Sequence, residues 1–184
     1  MATSMTYVYS QEQHGHLIPY MAALHASCIL VDQMVGPFLP PLTNDKLLPW
    51  WKERVAEANQ GSRVIVLLLP ETAKPTGPDL RGLAMLKLSE TETGAFRGHI
   101  DAVLVGSKYR RQGGAKALVT ALEYEAAKRG RTLLLADAET GSIAEAAFKK
   151  FNYVEIGKVP DFSQTLSNKK KGETFFYKDL LPSI

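Results

Sequence analysis

At 184 residues, 45% of them hydrophobic, the chain is long enough for one real core and is expected to form a single domain over residues 1–184. Its net charge of +3 is mild, and without a concentrated basic face it argues against a nucleic-acid binder. The one cysteine, Cys28, excludes an internal disulfide and suits a reducing, cytoplasmic compartment.

Met5 to Ser10 alternates weakly and predicts a first strand. A helix follows over roughly 14–31. Its apolar stretch from Leu17 to Val31 is too short to span a bilayer, contains Pro19, His25 and Ser27, and has no basic region before it. It therefore reads as a buried helix, with no membrane partner. Gly36, Pro37, Pro40 and Pro41 then surround Phe38 and Leu39 in an apolar loop over 32–43. Thr43, Asn44 and Asp45 offer caps for a second helix reaching Asn59, with Pro49 expected to disturb its early part.

Arg63 to Leu69 is a buried strand by its valine, isoleucine and leucine content, and 71–79 is a Pro/Gly loop. Leu80 to Ser89 and Gly98 to Val105 are the third and fourth strands. A helix from about Gly114 carries Leu118, Val119, Leu122 and Ala126 at helical spacing and stops at Lys128-Arg129-Gly130. Thr132 to Asp137 is the fifth strand, 142–151 a short helix and Tyr153 to Lys158 a strand. Residues 159–172 read as a polar loop and Glu173 to Leu180 as the last strand. This order predicts an α+β fold, a mixed six- to seven-stranded sheet with helices on both faces.

The turn after the fourth strand is Gly106-Ser107-Lys108-Tyr109-Arg110-Arg111-Gln112-Gly113-Gly114-Ala115-Lys116. Small residues let backbone N–H groups approach a ligand, and the helix dipole and two guanidinium groups add positive charge. Such a turn suits a phosphate or pyrophosphate. It matches neither G-x-x-x-x-G-K-[ST] nor G-x-G-x-x-G. An ordinary strand–helix turn with solvated arginines is the other reading.

R-x-x-G-x-A, here Arg110 to Ala115, resembles the coenzyme A pyrophosphate signature of the GNAT acetyltransferase superfamily. Gly141 to Tyr153 is similar to that family's later helix and strand, N-x-x-A-x-x-L-Y-x-K-x-G-F, about 25 residues further on. Asp137 to Ala146 looks nearest to the tabtoxin-resistance type within it. The resemblance implies a three-layer fold whose sheet splays between the fourth and fifth strands. It implies acetyl-CoA as cofactor, with pantetheine along Val103, Leu104 and Val105. The pyrophosphate would meet N–H groups of Arg111, Gln112, Gly113, Gly114 and Ala115, with charge from Arg110 and Lys116. Ser142 would face the pantetheine arm, and Lys150 either approaches the adenosine phosphate or is solvated.

The position of the family's tyrosine acid holds Phe148, which has no proton to give; Tyr177 on the last strand is an alternative donor. For the base, His99 and Asp101 share one face of the fourth strand, and histidine titrates near neutrality. His99 aligns with a glutamate implicated in deprotonation. Asp137 aligns with an acidic residue that would hold a cation or relay a proton; it reads equally as a helix cap. Loops 32–43 and 159–172, with Phe38, Leu39, Trp50, Phe162 and Tyr177, would wall the acceptor. No metal is expected. The expected activity is direct acetyl transfer to a primary amine of a small molecule, an amino acid, polyamine, antibiotic or toxin. The alternatives are a protein N-terminal or lysine acetyltransferase and a non-catalytic acyl-CoA-binding module. Relatives that pair through their last strands imply a homodimer.

Overall fold

The computed structural model describes residues 3–72 and 74–180. Residue 73, inside the expected 71–79 loop, and the last four residues lie outside it. Strands are β1 Ser4–Val8, β2 Arg63–Pro70, β3 Gly82–Leu88, β4 Arg97–Val105, β5 Leu133–Glu139, β6 Val154–Gln164 and β7 Lys170–Asp179. Helices are α1 Gln11–His14, α2 Ile18–Asp32, α3 Asn44–Gln60, α4 Gly114–Lys128 and α5 Ile143–Lys150. One seven-stranded sheet runs β1-β2-β3-β4-β5-β7-β6, antiparallel except for the β4–β5 pair. This is the expected α+β architecture.

Period-two alternation sends β-strand side chains to two separate cores. One packs Val64, Val66, Leu86, Ile100, Leu134 and Ala136 under α4 and α5, through Leu118, Leu122 and Phe148. The other packs Ile65, Leu67, Leu83, Met85 and Leu104 under α2 and α3, through Met21, Cys28, Trp51 and Val55. β2 feeds both cores and is buried along its whole length, as its apolar run requires.

Three expectations change. The helix expected over 14–31 is three pieces, because a 3-10 turn at Gly15–Leu17 precedes α2. Pro49 sits inside α3 without ending it: it falls so near the start that its absent N–H costs one early hydrogen bond. The polar loop expected over 159–172 is instead most of a hairpin, with β6 running to Gln164 and β7 starting at Lys170. Cross-strand backbone bonding wins there over polar composition, and a register shift between Val159 and Ser163 absorbs Asp161 at φ 52°.

Candidate functional site

β4 and β5 pair only from Arg97↔Leu133 to Ile100↔Ala136. Beyond that row β4 stays with β3 to Val105↔Gly82, and β5 stays with β7 to Glu139↔Glu173. Residues 101–105 therefore carry a strand edge with no β5 partner, at the wedge where the sheet divides. A bulge sits at its start: Met85 opposes Ala102 and Leu86 opposes Ile100, leaving Asp101 extra. The bulge keeps Asp101 on the α2/α3 face and resets the strand after it. Leu104 then packs under α2 and α3, while Val103 and Val105 pack toward α4 and α5.

At the end of β4 the backbone turns through Ser107–Tyr109 and enters α4 at Gly114. Arg111 (φ 58°) and Gly113 (φ 83°) both take the left-handed conformation ahead of the helix, a backbone geometry that can turn successive N–H groups toward one anion. Arg111, Gln112, Gly113 and Lys116 are exposed there. Gly114 is small for a different reason than the expected ligand approach: a Cβ on it would lie 2.7 Å from Leu68 Cδ2.

Arg110 departs from its expected role. Its Nε donates to the Val105 carbonyl at 2.9 Å, and both terminal nitrogens hold the Asp32 carboxylate, at 2.6 Å for Nη1 on Oδ1. That charge is committed to the end of α2, so Lys108, Arg111 and Lys116, all exposed, are the cations left at the turn. Ser142 caps α5, accepting from the Glu145 N–H at 3.1 Å. Lys150 is exposed in the last turn of α5.

On the α2/α3 face His99 and Asp137 come together: His99 Nε2 lies 2.7 Å from Asp137 Oδ1, each side chain about one-third exposed. Ser142, not Asp137, caps α5, which removes the capping reading of Asp137. The hydrogen bond to Asp137, ahead of the opposing effect of burial, holds the imidazole above its ordinary pKa. Asp101 is beside them and is itself held by Arg63, whose Nη1 donates to Oδ2 at 2.6 Å while its Nε donates to Glu57 Oε2 at 2.5 Å. The Arg63 side chain is 2% exposed.

Tyr177 shares this face in the row His99–Leu135–Tyr177 and is 38% exposed. Phe148 is buried on the inner side of α5, its ring 5.1 Å from Tyr153 and 5.7 Å from Phe176. Burial also pushes the Tyr153 phenol strongly upward, which makes it a poor proton donor to a cleft.

On the α2/α3 side Phe38, His25, Trp50 and Trp51 meet ring to ring, with centroids 5.2–5.8 Å apart. Burial pushes His25 down to about 4 and the Cys28 thiol up to about 11, so both stay neutral. A cavity of about 790 Å³ lies away from the wedge, between Tyr7, His14, Tyr20 and Thr76.

Two site residues carried no sequence signal of their own. Arg63 opens a strand, and its reach to Asp101 spans 38 positions. Glu173 begins the expected last strand; burial and Asp137 push its carboxyl up to about 7. A buried acid placed opposite Glu139 is visible only once the β5–β7 register is known.

A sequence profile described as the acetyltransferase (GNAT) family matches residues 37–153. Among solved structures, an N-acetyltransferase from Staphylococcus aureus Mu50 superposes with a TM-score of 0.74 at 17% identity, over 98% of this chain and 100% of that one. The yncA protein of Salmonella typhimurium, named as an acetyltransferase and solved with its cofactor acetyl-CoA, gives 0.74 at 13%, over 100% and 97%. A ribosomal-protein-alanine N-acetyltransferase from Brucella melitensis gives 0.69 at 19%, over 95% and 99%.

Proposed function

Since the chain belongs to the GNAT acetyltransferase family, we propose that it acts as one domain over residues 1–184 and moves the acetyl group of acetyl-CoA directly to a primary amine of a small molecule. The observation that carries this reading is the wedge, which joins an unpaired β4 edge and a turn with two left-handed residues to a histidine–carboxylate pair. These residues fit acetyl-CoA. The β4 edge of 101–105, apart from the Val105 carbonyl that Arg110 holds, offers backbone for the pantetheine amides. The Arg111–Ala115 amides, with Arg111 and Lys116, offer N–H groups and charge for the pyrophosphate. The bound thioester supplies an activated acetyl group.

The chain's own work is then proton management. An alkyl ammonium has a pKa near 10 and no lone pair, so it must be deprotonated before it attacks. With Nε2 engaged by Asp137, His99 Nδ1 is the nitrogen free to take that proton. Asp137 fixes the ring and supports the imidazolium, as a carboxylate does in hydrolytic triads. Asp101, held by Arg63, adds negative charge that attracts the ammonium. Tyr177 remains the candidate acid on this face, because Phe148 has no proton and lies in the core.

The carboxylate-lined face and the half-buried Phe38 and Trp50 support a small amine with an apolar body. We place the protein in the cytoplasm, without a nucleic-acid partner. Among the described residues no helix is long and apolar enough to cross a membrane. We also propose a homodimer through the last strands: edge strand β6 exposes Val154, Ile156, Val159 and Phe162. Thiol release from acetyl-CoA on a panel of small amines, run beside N-terminal and lysine peptides, tests the acceptor. Turnover on small amines, lowered at least tenfold in His99→Gln, supports it. Turnover on peptides alone transfers the reading to a protein acetyltransferase, and binding without turnover to a non-catalytic module.

A further inference from the structure

Glu173 is 6% exposed and stands in register with Glu139, while the next residue on its face, Phe175, stands opposite Asp137. Directly opposed and alternate residues share a face. Asp137, Glu139 and Glu173 therefore converge on the side that carries His99. Three carboxyls this close cannot all ionise without compensation.

The compensating cations are accounted for. Lys171 Nζ lies 2.7 Å from Glu139 Oε1, and His99 Nε2 lies on Asp137. From β6, Val159 is the residue opposite Glu173, and Lys158 is turned away to Glu145 at 3.1 Å. Around His99 the remaining charged groups are Lys87 opposite it on β3, Asp101 beside it and Arg63, which is already spent on Asp101 and Glu57. With Glu139 taken by Lys171, the same-face carboxyl left to Glu173 is its diagonal neighbour Asp137 across the β5–β7 ladder, within reach of two such side chains, and burial together with that carboxylate pushes the Glu173 carboxyl up. A hydrogen bond between two carboxyl groups requires a proton on one of them.

We propose that Glu173 is a positioning residue that shares one proton with Asp137, aims that carboxylate at His99 and sets how tightly His99 holds its own proton. The proposal rests on the reading of His99 as the base. While the proton stays on Glu173, Asp137 is the one full negative charge on the ring, and His99 releases its proton readily. When Glu173 ionises, a second negative charge appears behind Asp137 and His99 holds its proton to higher pH. The two groups titrate as a coupled pair rather than singly. No proton is created or lost: the amine's proton goes to His99 Nδ1 and then to solvent, and the shared one stays between the carboxyls.

The test is an NMR titration of the histidine rings, with His99 identified by its loss in His99→Gln. In wild type the His99 curve should lie above the ordinary value and spread over more than one proton's width. Glu173→Gln keeps the shape and the donor but cannot ionise. Its curve should become a one-proton curve displaced downward by roughly half a unit to one unit. Glu173→Ala should show the same displacement and a lower kcat/KM across the pH range. Superimposable His99 curves in wild type and Glu173→Gln would overturn the proposal. The titration needs no turnover, so a displaced curve in a protein that transfers no acetyl group would refute the base, not the role of Glu173.

Discussion

Replacing Arg63 with methionine removes the guanidinium that ties α3 to the wedge while leaving a stem of similar length beside Met85. The wild-type side chain is 2% exposed and makes two short charge-assisted bonds, 2.5 Å to Glu57 and 2.6 Å to Asp101. Removing one partner of a fully buried ion pair costs about 3–5 kcal/mol. Here the carboxylates keep 26% and 27% exposure, so water recovers part of that, and Arg54 still holds Glu57 at 2.9 Å. The expected loss is about 2–3 kcal/mol, or a melting temperature lower by roughly 5–10 °C in a domain of this size. Urea unfolding of wild type, Arg63→Met, Asp101→Asn and the double variant measures both the loss and the 63–101 coupling, expected to be about 1 kcal/mol or more. A single-variant loss under about 0.5 kcal/mol, or strictly additive effects, would refute the assignment of a stabilising buried pair.

Further outcomes follow from other positions. Gly113→Ala should lower stability by about 1–2 kcal/mol through its positive φ, although a Cβ there meets nothing within 4 Å. Gly114→Ala should cost a similar amount, about 1–2 kcal/mol, by a different route, pushing Leu68 aside. Thermal melts of both check this, and a Gly→Ala gain at either site contradicts it. Phe148→Tyr buries a hydroxyl among Tyr153 and Phe176, so it should lose about 1–2 kcal/mol without raising turnover; a faster enzyme would mean that the ring reaches the cleft. The Glu173 carboxyl is raised in the folded state from 4.5 to about 7. Its contribution to stability is complete below pH 4.5 and is lost as the pH rises through about 7. Denaturation across that range should show wild type losing up to about 2–3 kcal/mol relative to Glu173→Gln; parallel curves would contradict it. The raised His99 pKa predicts that the rising limb of kcat/KM lies above the ordinary histidine value of 6.5. A limb below it removes His99 as base.

Local signals carried the sequence reading where the structure is local. The β4–turn–α4 unit and the α5 cap region are short-range, and glycine spacing, helical periodicity and the cations at Lys128 and Arg129 mark them directly. His99 and Asp101 were readable as a same-face pair because strand alternation alone puts them there. What failed to show was set by partners far along the chain. Arg110 looks like an anion ligand until Asp32, 78 positions away, is seen to hold it. The 159–172 segment is too polar to read as strand, and the long pairing of β6 with β7 makes it one. Glu173 has no local mark at all; its meaning comes from Asp137 across the β5–β7 ladder.

Calorimetric titration of acetyl-CoA into the folded protein, wild type beside Gly113→Glu, tests the central claim most directly. Saturable binding in wild type, weakened at least tenfold by a carboxylate set among the Arg111–Ala115 amides while the melt shows an intact fold, is the predicted result. No binding heat in wild type, or equal affinity in the variant, would contradict the account.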